Sequence, residues 1–334
     1  MGTQSRDLRR LSRRPIGHIK LVVGLGIVIV LFLYVDFADV GVRLGSTDLV
    51  LFAISCVASI LGQVFSAVRW MILMATLNPA ITLTDALIGT FEAAFFNQVL
   101  PSTIGGDAFR AARVYDAGGS VKEALTGVII DRILGLWFVC AFVALVSILD
   151  DTPTQDTAVF AALANTGRLV TFGGIAAVVA GCFIRPDALG RWLDPFLELV
   201  AKFSKTVRAW RSTLLLFIGL TVSYIFSLVG FIACSWAQGL SPGPVDAAII
   251  FAGILLSGML PVSIGGWGLR EAAAILLFAP LGVSPSQAAS VSILYGLSLV
   301  VVGLAGGLVW VGAGYRRIKA GEQPLLAPGS VDIE

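Results

Sequence analysis

Two arginines stand at the ends of a duplicated stretch of chain. Residues 100–110 read LPSTIGGDAFR and residues 260–270 read LPVSIGGWGLR, so Leu, Pro, Ile, Gly, Gly and Arg recur 160 residues apart and Thr103 is answered by Ser263. A guanidinium one turn beyond a Gly-Gly pair is anion-binding chemistry. The first amides of a new helix have no carbonyl partner, the helix dipole is positive there, and Arg grips a phosphate with two parallel N–H groups. The candidate binding set is therefore Arg110 with Gly105, Gly106 and Asp107, and Arg270 with Gly265 and Gly266. The competing role is structural: Asp107 capping the helix it opens, Thr103 or Ser263 bonding broken carbonyls, and the arginines neutralised by neighbouring acids.

Four further ionisable residues, Glu92, Asp131, Arg132 and Glu271, interrupt apolar sequence. Charges placed in hydrocarbon are costly and are functional candidates by default, so these join the set. Pairings open to them are Glu92 with Arg110 or Arg132, and Asp131 with Arg270. Neutralisation is the ordinary fate of such groups, and a proton relay through Glu92 or Glu271 is the alternative.

The elements that must position these residues belong to a membrane protein. The chain is 57% hydrophobic and 13% charged, with a mean hydropathy of +0.91; ordinary globular chains carry about 25% charged residues. Its 23 basic and 21 acidic side chains are too few to wet the surface of a 334-residue globule. A membrane-crossing helix needs about 20 apolar residues. Six stretches meet that test, at about 17–37, 48–75, 124–149, 168–184, 213–238 and 287–313. The two repeat regions do not, because each is short, carries polar residues or ends at Pro101 or Pro261, and holds a Gly-Gly pair unsuited to a helix interior.

Charge placement decides the path. Arg6, Arg9, Arg10, Arg13, Arg14 and Lys20 precede the first stretch and put the N-terminus in the cytoplasm. If each repeat region enters and returns on one side, then Arg69, Arg113, Lys122, the basic residues of 185–211 and the tail residues Arg316, Arg317 and Lys319 all fall in the cytoplasm, while Asp150, Asp151 and Asp156 lie outside. Three crossings separate the two regions, which inverts the second relative to the first. The fold class expected is all-α: a polytopic membrane protein with about six spanning helices plus two re-entrant helical hairpins, arranged as two inverted-topology repeats. Residues 1–16 form a basic cytoplasmic N-terminus, 17–150 the first half with a hairpin at about 86–116, and 166–313 the second half with a hairpin at about 247–281. An interfacial helix at about 187–211 joins the halves, and 314–334 is a cytoplasmic tail. Paired broken helices in corresponding halves point to a transport site where the tips meet.

Enzymatic readings find little support. The single histidine, His18, stands at a membrane edge, so no His-based metal cluster or nucleophile system can be assembled in the interior. Cys56, Cys140, Cys182 and Cys234 lie inside apolar runs without a CxxC spacing and read as small core fillers. Gly24-x-Gly26 has no preceding strand and carries no dinucleotide reading. No metal or cofactor is expected. An intramembrane transferase using Glu92 or Asp131 as base is the remaining enzymatic alternative.

The segments FFNQVLPSTIGGDAFRAARVY (95–115) and LPVSIGGWGLREAAAILLF (260–278), with DRILG at 131–135 between them, resemble the lysylphosphatidylglycerol synthase transmembrane family of flippase-like proteins. The resemblance covers about residues 17–315. It implies a membrane domain that moves lipids between leaflets. In the synthases that domain is joined to a C-terminal aminoacyl-transfer domain, and the resemblance here does not extend to one, so lysyl transfer is not carried over. The expectation is a lipid translocase of the cytoplasmic membrane, with both termini in the cytoplasm and an anionic lipid or lipid-linked headgroup as cargo. The alternative is a non-transporting scaffold that partners a lipid-modifying enzyme; a homo-oligomer is compatible with either. No nucleic-acid partner is expected.

Overall fold

A computed structural model describes residues 33, 35–77, 80–100, 104–149, 158–183, 210–259 and 265–320. The N-terminal expectations, most of the first apolar stretch, the interfacial helix at 187–209 and the tail beyond Ala320 lie outside the described residues. Among those described, the chain is helical and contains no strand. Ten α-helices follow one another: α1 (Phe37–Gly45), α2 (Leu49–Ala75), α3 (Leu83–Val99), α4 (Ile104–Asp116), α5 (Val121–Leu149), α6 (Ala158–Phe183), α7 (Trp210–Ala237), α8 (Pro244–Met259), α9 (Leu269–Phe278) and α10 (Pro285–Ala320). A single 3₁₀ turn, Ala279–Leu281, follows α9.

Five of these, α2, α5, α6, α7 and α10, are long and apolar enough to cross a bilayer. The other apolar pieces are short. At 1.5 Å per residue, the 17 residues of α3 and the 16 of α8 reach about 26 and 24 Å, less than the ~30 Å of a hydrocarbon core. Two boundaries differ from the sequence reading. The helix expected from 168 begins at Ala158, which places Arg168 ten residues inside it. The last helix runs on to Ala320, through Arg316, Arg317 and Lys319, where a tail was expected from 314.

Helix starts are fixed by local chemistry. Asp36 accepts from the amides of Ala38 and Asp39 to open α1, Asp48 accepts from Val50 and Leu51 to open α2, and Thr82 with Asp85 forms a capping box on α3. Without a hydrophobic drive between helices in lipid, close approach depends on small residues. The long contact of α2 with α7 is of this kind. Gly62 faces Ser227 and the Ser223 carbonyl, Gly230 faces Ser55 and Ser59, and Ser223 Oγ donates to the Gly62 carbonyl at 3.1 Å. On the other side, α10 presents Gly303, Gly306 and Gly307 to α3, so near that a Cβ on Gly306 would overlap the Phe91 carbonyl.

Two cores result. One gathers Tyr224 and Phe231 of α7, Phe251 of α8, Phe278 of α9 and Tyr295 of α10, with ring centroids 4.8–6.1 Å apart once Phe142 is included. The other packs Trp70, Leu73 and Met74 of α2 against Val114 of α4 and Val128, Ile130 and Leu134 of α5. Arg69, Glu92, Asp107, Arg110, Arg113, Asp131 and Arg132 lie on the helices of this second core.

Candidate functional site

Helices α3 and α4 fold back on each other as an antiparallel pair. Phe96 stacks on Phe109 with ring centroids 3.6 Å apart, and Gly89 faces Arg110 and Arg113 at the open end. Gly105 and Gly106 are helical residues in the first turn of α4, where the sequence suggested a turn made of glycine. Their role is close packing: a Cβ on Gly106 would overlap Asn97 and the Ala93 carbonyl, and one on Gly105 would overlap Leu100. The Gly106 amide, expected to be open to an anion, donates to Asn97 Oδ1 at 3.1 Å.

Asp107, Arg110 and Arg113 recur every three residues, which puts them on one face of α4. That face meets Arg69 of α2, Glu92 of α3, and Asp131 and Arg132 of α5. Arg69 donates to both carboxylate oxygens of Asp131, the second at 3.2 Å, and Arg110 Nη1 donates to the same carboxylate at 3.1 Å. Asp107 does not cap its helix. It accepts from Arg132 Nε at 2.5 Å and lies 3.8 Å from Arg110 Nη1. Arg113 holds Glu92 in a fork, with Nε to Oε2 at 3.0 Å. The Arg110 guanidinium also covers the Trp70 ring, 3.9 Å from its centroid.

Two candidate pairings are thereby corrected. Glu92 pairs with Arg113, since the turn spacing of α4 brings Arg113 and not Arg110 level with it. Asp131 pairs with Arg69 and Arg110 and not with Arg270. Arg69 and Arg113, read from sequence as cytoplasmic flanking charges, are buried members of the network, 8% and 7% exposed. A signal was present for Arg69, which lies six residues inside the 48–75 apolar run and next to Trp70. For Arg113 the signal was its three-residue spacing from Arg110.

The network leaves polar atoms over. Arg110 Nε and Nη2 and Arg69 Nε are buried with no hydrogen-bond partner. Buried donors are nearly always satisfied in folded proteins, so two open N–H groups on one guanidinium mark a place for an acceptor.

The second repeat is built otherwise. Helices α8 and α9 are also an antiparallel pair, with Gly253 against Leu277. Here the glycines do make the turn: Gly265, Gly266 and Gly268 take φ of 58°, 83° and 87°, a region that L side chains rarely adopt. The amide of Gly268 is taken by Glu271 Oε2 at 2.5 Å. Glu271 Oε1 accepts from Ser292 at 3.0 Å and from Arg270 Nε at 3.4 Å. Arg270 Nη2 is buried and unpartnered, with Trp267 4.7 Å from the guanidinium carbon. The tips of the two pairs touch. A Cβ on Gly265 would sit 3.1 Å from Gln98 Oε1 and 3.5 Å from the Asn97 carbonyl. Residues 101–103, with Thr103, and 260–264, with Ser263, lie outside the described residues.

Among the described residues no group of His, Cys, Asp and Glu could hold a metal ion, and Cys56, Cys140 and Cys234 are free thiols. Residues 18–307 match the family model described as the lysylphosphatidylglycerol synthase TM region. The chain is also similar to a UPF0104 membrane protein of Methanothermobacter thermautotrophicus, at 24% identity over 323 residues, covering 86% of this chain and 90% of that protein.

Proposed function

The chain belongs to the family of the lysylphosphatidylglycerol synthase TM region, and from that premise we propose that it is a flippase-like translocase of the cytoplasmic membrane, carrying an anionic lipid or lipid-linked headgroup between leaflets. The observation that supports it best is Arg110, a buried cation with two open N–H groups beside a carboxylate it shares with Arg69. A phosphate entering there meets a donor pair in the geometry Arg offers to phosphate. When Arg110 turns toward it, Asp131 keeps Arg69, so neither member of the old pair is left as an uncompensated buried charge. Trp70 holds the guanidinium plane from one side and limits where the anion can sit.

The two short helix pairs are re-entrant in this reading, entering from opposite faces with their tips in contact at Asn97, Gln98 and Gly265. The halves of the molecule form inverted repeats. Rocking of one half against the other would pass the headgroup across this junction while the acyl chains stay in the bilayer. Nothing in the sequence resembles a nucleotide site, so movement is downhill or coupled to an ion.

Reconstitution into liposomes with labelled phosphatidylglycerol and phosphatidylcholine tests the proposal. The protein should equilibrate the anionic lipid between leaflets, and Arg110→Gln should slow it by about tenfold or more, the loss of one charge-assisted bidentate contact. Absence of lipid movement in the wild-type protein, together with copurification of a lipid-modifying enzyme, would replace this reading with that of a membrane scaffold.

A further inference from the structure

The only charged residue of α6 among those described with side chains, Arg168, lies far from the network above and has no role in it. It sits ten residues from the start of the helix, about 15 Å along a rod rising 1.5 Å per residue. Arg168 Nη2 donates to the Ser147 carbonyl near the end of α5 at 3.0 Å, and Nε is buried with no partner. Beside it is a cavity of 140 Å³, lined by Ser147, Asn165 and Arg168 on its polar side and by Val143, Phe160 and Ile249 on its apolar side. That is room for a few waters or one phosphate-sized group. The neighbouring face of α6 is fully outward, with Leu169 74% and Phe172 60% exposed, so the cavity adjoins the surface that lipid chains would cover.

We propose that this cavity between α5, α6 and α8 is a second anion site, which takes the phosphate of a phospholipid headgroup laterally from the leaflet at the far end of α5. Guanidinium stems snorkel so that the head reaches the interface, and Arg168 does so toward Ser147. Ser147 spends its hydroxyl proton on the Ala144 carbonyl at 2.9 Å, so it offers the anion no donor and the charge is met by Arg168. Asn165, three residues before Arg168 on the same face of α6, also lines the cavity and carries a neutral amide donor. The apolar wall accepts the glycerol and first methylenes. Asp246, in the first turn of α8 one turn from Ile249, is the described acidic residue nearest in sequence to the lining and is not itself among the lining residues. Ser147 is sixteen residues beyond Asp131 on α5, about 24 Å. The two sites therefore stand toward opposite ends of the same helix, as an arrival and a departure station for a headgroup. That pairing rests on the translocase reading; the binding site does not.

Native mass spectrometry of the purified protein, titrated with phosphatidylglycerol, phosphatidylcholine or inorganic phosphate, tests it. The wild type should retain two phosphatidylglycerol molecules at about tenfold lower concentration than phosphatidylcholine, the difference made by charge-assisted hydrogen bonds. Arg168→Gln should lose one of them and keep the other, Arg110→Gln the reverse, and Arg168→Lys should keep both. Asn165→Leu, which leaves the Arg168–Ser147 bond in place, should weaken the same lipid if Arg168→Gln proves unfoldable. Displacement of that lipid by inorganic phosphate would identify a free-phosphate site and overturn the lipid assignment. Unchanged binding of both lipids in Arg168→Gln, with only a lower melting temperature, would show Arg168 to be a helix fastener and overturn the site. Loss of lipid movement is read separately with Arg110→Gln, so failure of the transport reading leaves this result standing.

Discussion

The two helix pairs share a sequence motif and divide their interactions differently. Arg110 answers Arg270 at an interval of 160, yet the other charged members of the Arg110 network have no charged counterparts at that interval: Glu92 is matched by Ala252, Asp107 by Trp267, Arg113 by Ala273, Asp131 by Val291 and Arg132 by Ser292. The first pair is held by ion pairs joining α2, α3, α4 and α5. The second is held by aromatic packing of Phe251 and Phe278 against α7 and α10, and retains one adjacent Arg–Glu pair. Hydrophobic packing has one best arrangement. Ion pairs with more donors than acceptors can exchange partners at little cost, provided every charge stays matched. The difference suits an apolar second pair to be the fixed wall and a charged first pair to be the side that answers a ligand.

The strongest way to break this comparison is Asp131→Asn. It removes the carboxylate shared by Arg69 and Arg110 and leaves two buried cations, which should cost about 3–5 kcal/mol. Thermal unfolding in detergent should fall sharply, and transport with it; a variant as stable as the wild type would show that the cations reach another acceptor. The matching change in the other pair, Phe278→Ala, empties a fully buried ring site and should cost a similar ~3–5 kcal/mol. Its signature is different: stability drops while the preference for anionic over zwitterionic lipid, measured by native mass spectrometry on the surviving folded protein, is unchanged. Equal loss of that preference in both variants would remove the division of labour.

How far the sequence foretold this depends on which force places a residue. The apolar spans, the two short interrupted helix pairs and the charged character of the interior follow from composition and from local breakers and were legible; that Gly105 and Gly106 would stay helical was not. Pairings inside the network were not. The sequence offered Glu92 either Arg110 or Arg132, and the antiparallel register of α3 on α4, set by Gly106 against Asn97 and Phe96 on Phe109, brings it to Arg113 instead. Arg69 was misplaced because a charge near the end of a long apolar run reads as a flank until the partner helix is known to carry Asp131 at its level. The glycine pairs show the same limit. One dipeptide, Gly-Gly, is helical in α4 and left-handed before α9, where a third glycine, Gly268, follows only the second copy. Arg168 was hidden differently: the sequence reading began its helix at that residue and so treated it as an end.

A smaller effect sharpens the geometry between the pairs. Gly306→Ala adds a Cβ that would overlap the Phe91 carbonyl, so α10 must move away from α3. Overpacking of this kind costs about 1–3 kcal/mol. Because α10 also packs on α9, the displacement should loosen the contact between Gly265 and Gln98; a cysteine pair placed at those two positions should crosslink more slowly in the Gly306→Ala background. Gly312, with open space around it, is the control, and its alanine variant should leave crosslinking unchanged.

Ser292→Ala is expected to do least, and for that reason it tests how the second pair handles its one charge. Ser292 donates one of three hydrogen bonds to Glu271, the others coming from the Gly268 amide and Arg270. Deleting a hydroxyl to a charged acceptor that keeps two other donors should cost about 1–2 kcal/mol, with the capping of α9 and lipid preference intact. Ser292 stands where the first pair has Arg132, so Ser292→Arg is the informative partner variant: it would place a second cation on Glu271 and imitate the sharing seen at Asp131. If the charged pair is the responsive side because its cations outnumber their acceptors, Ser292→Arg should raise anionic-lipid retention while Ser292→Ala leaves it alone. Equal behaviour of the two variants would locate the response in helix packing instead of charge balance.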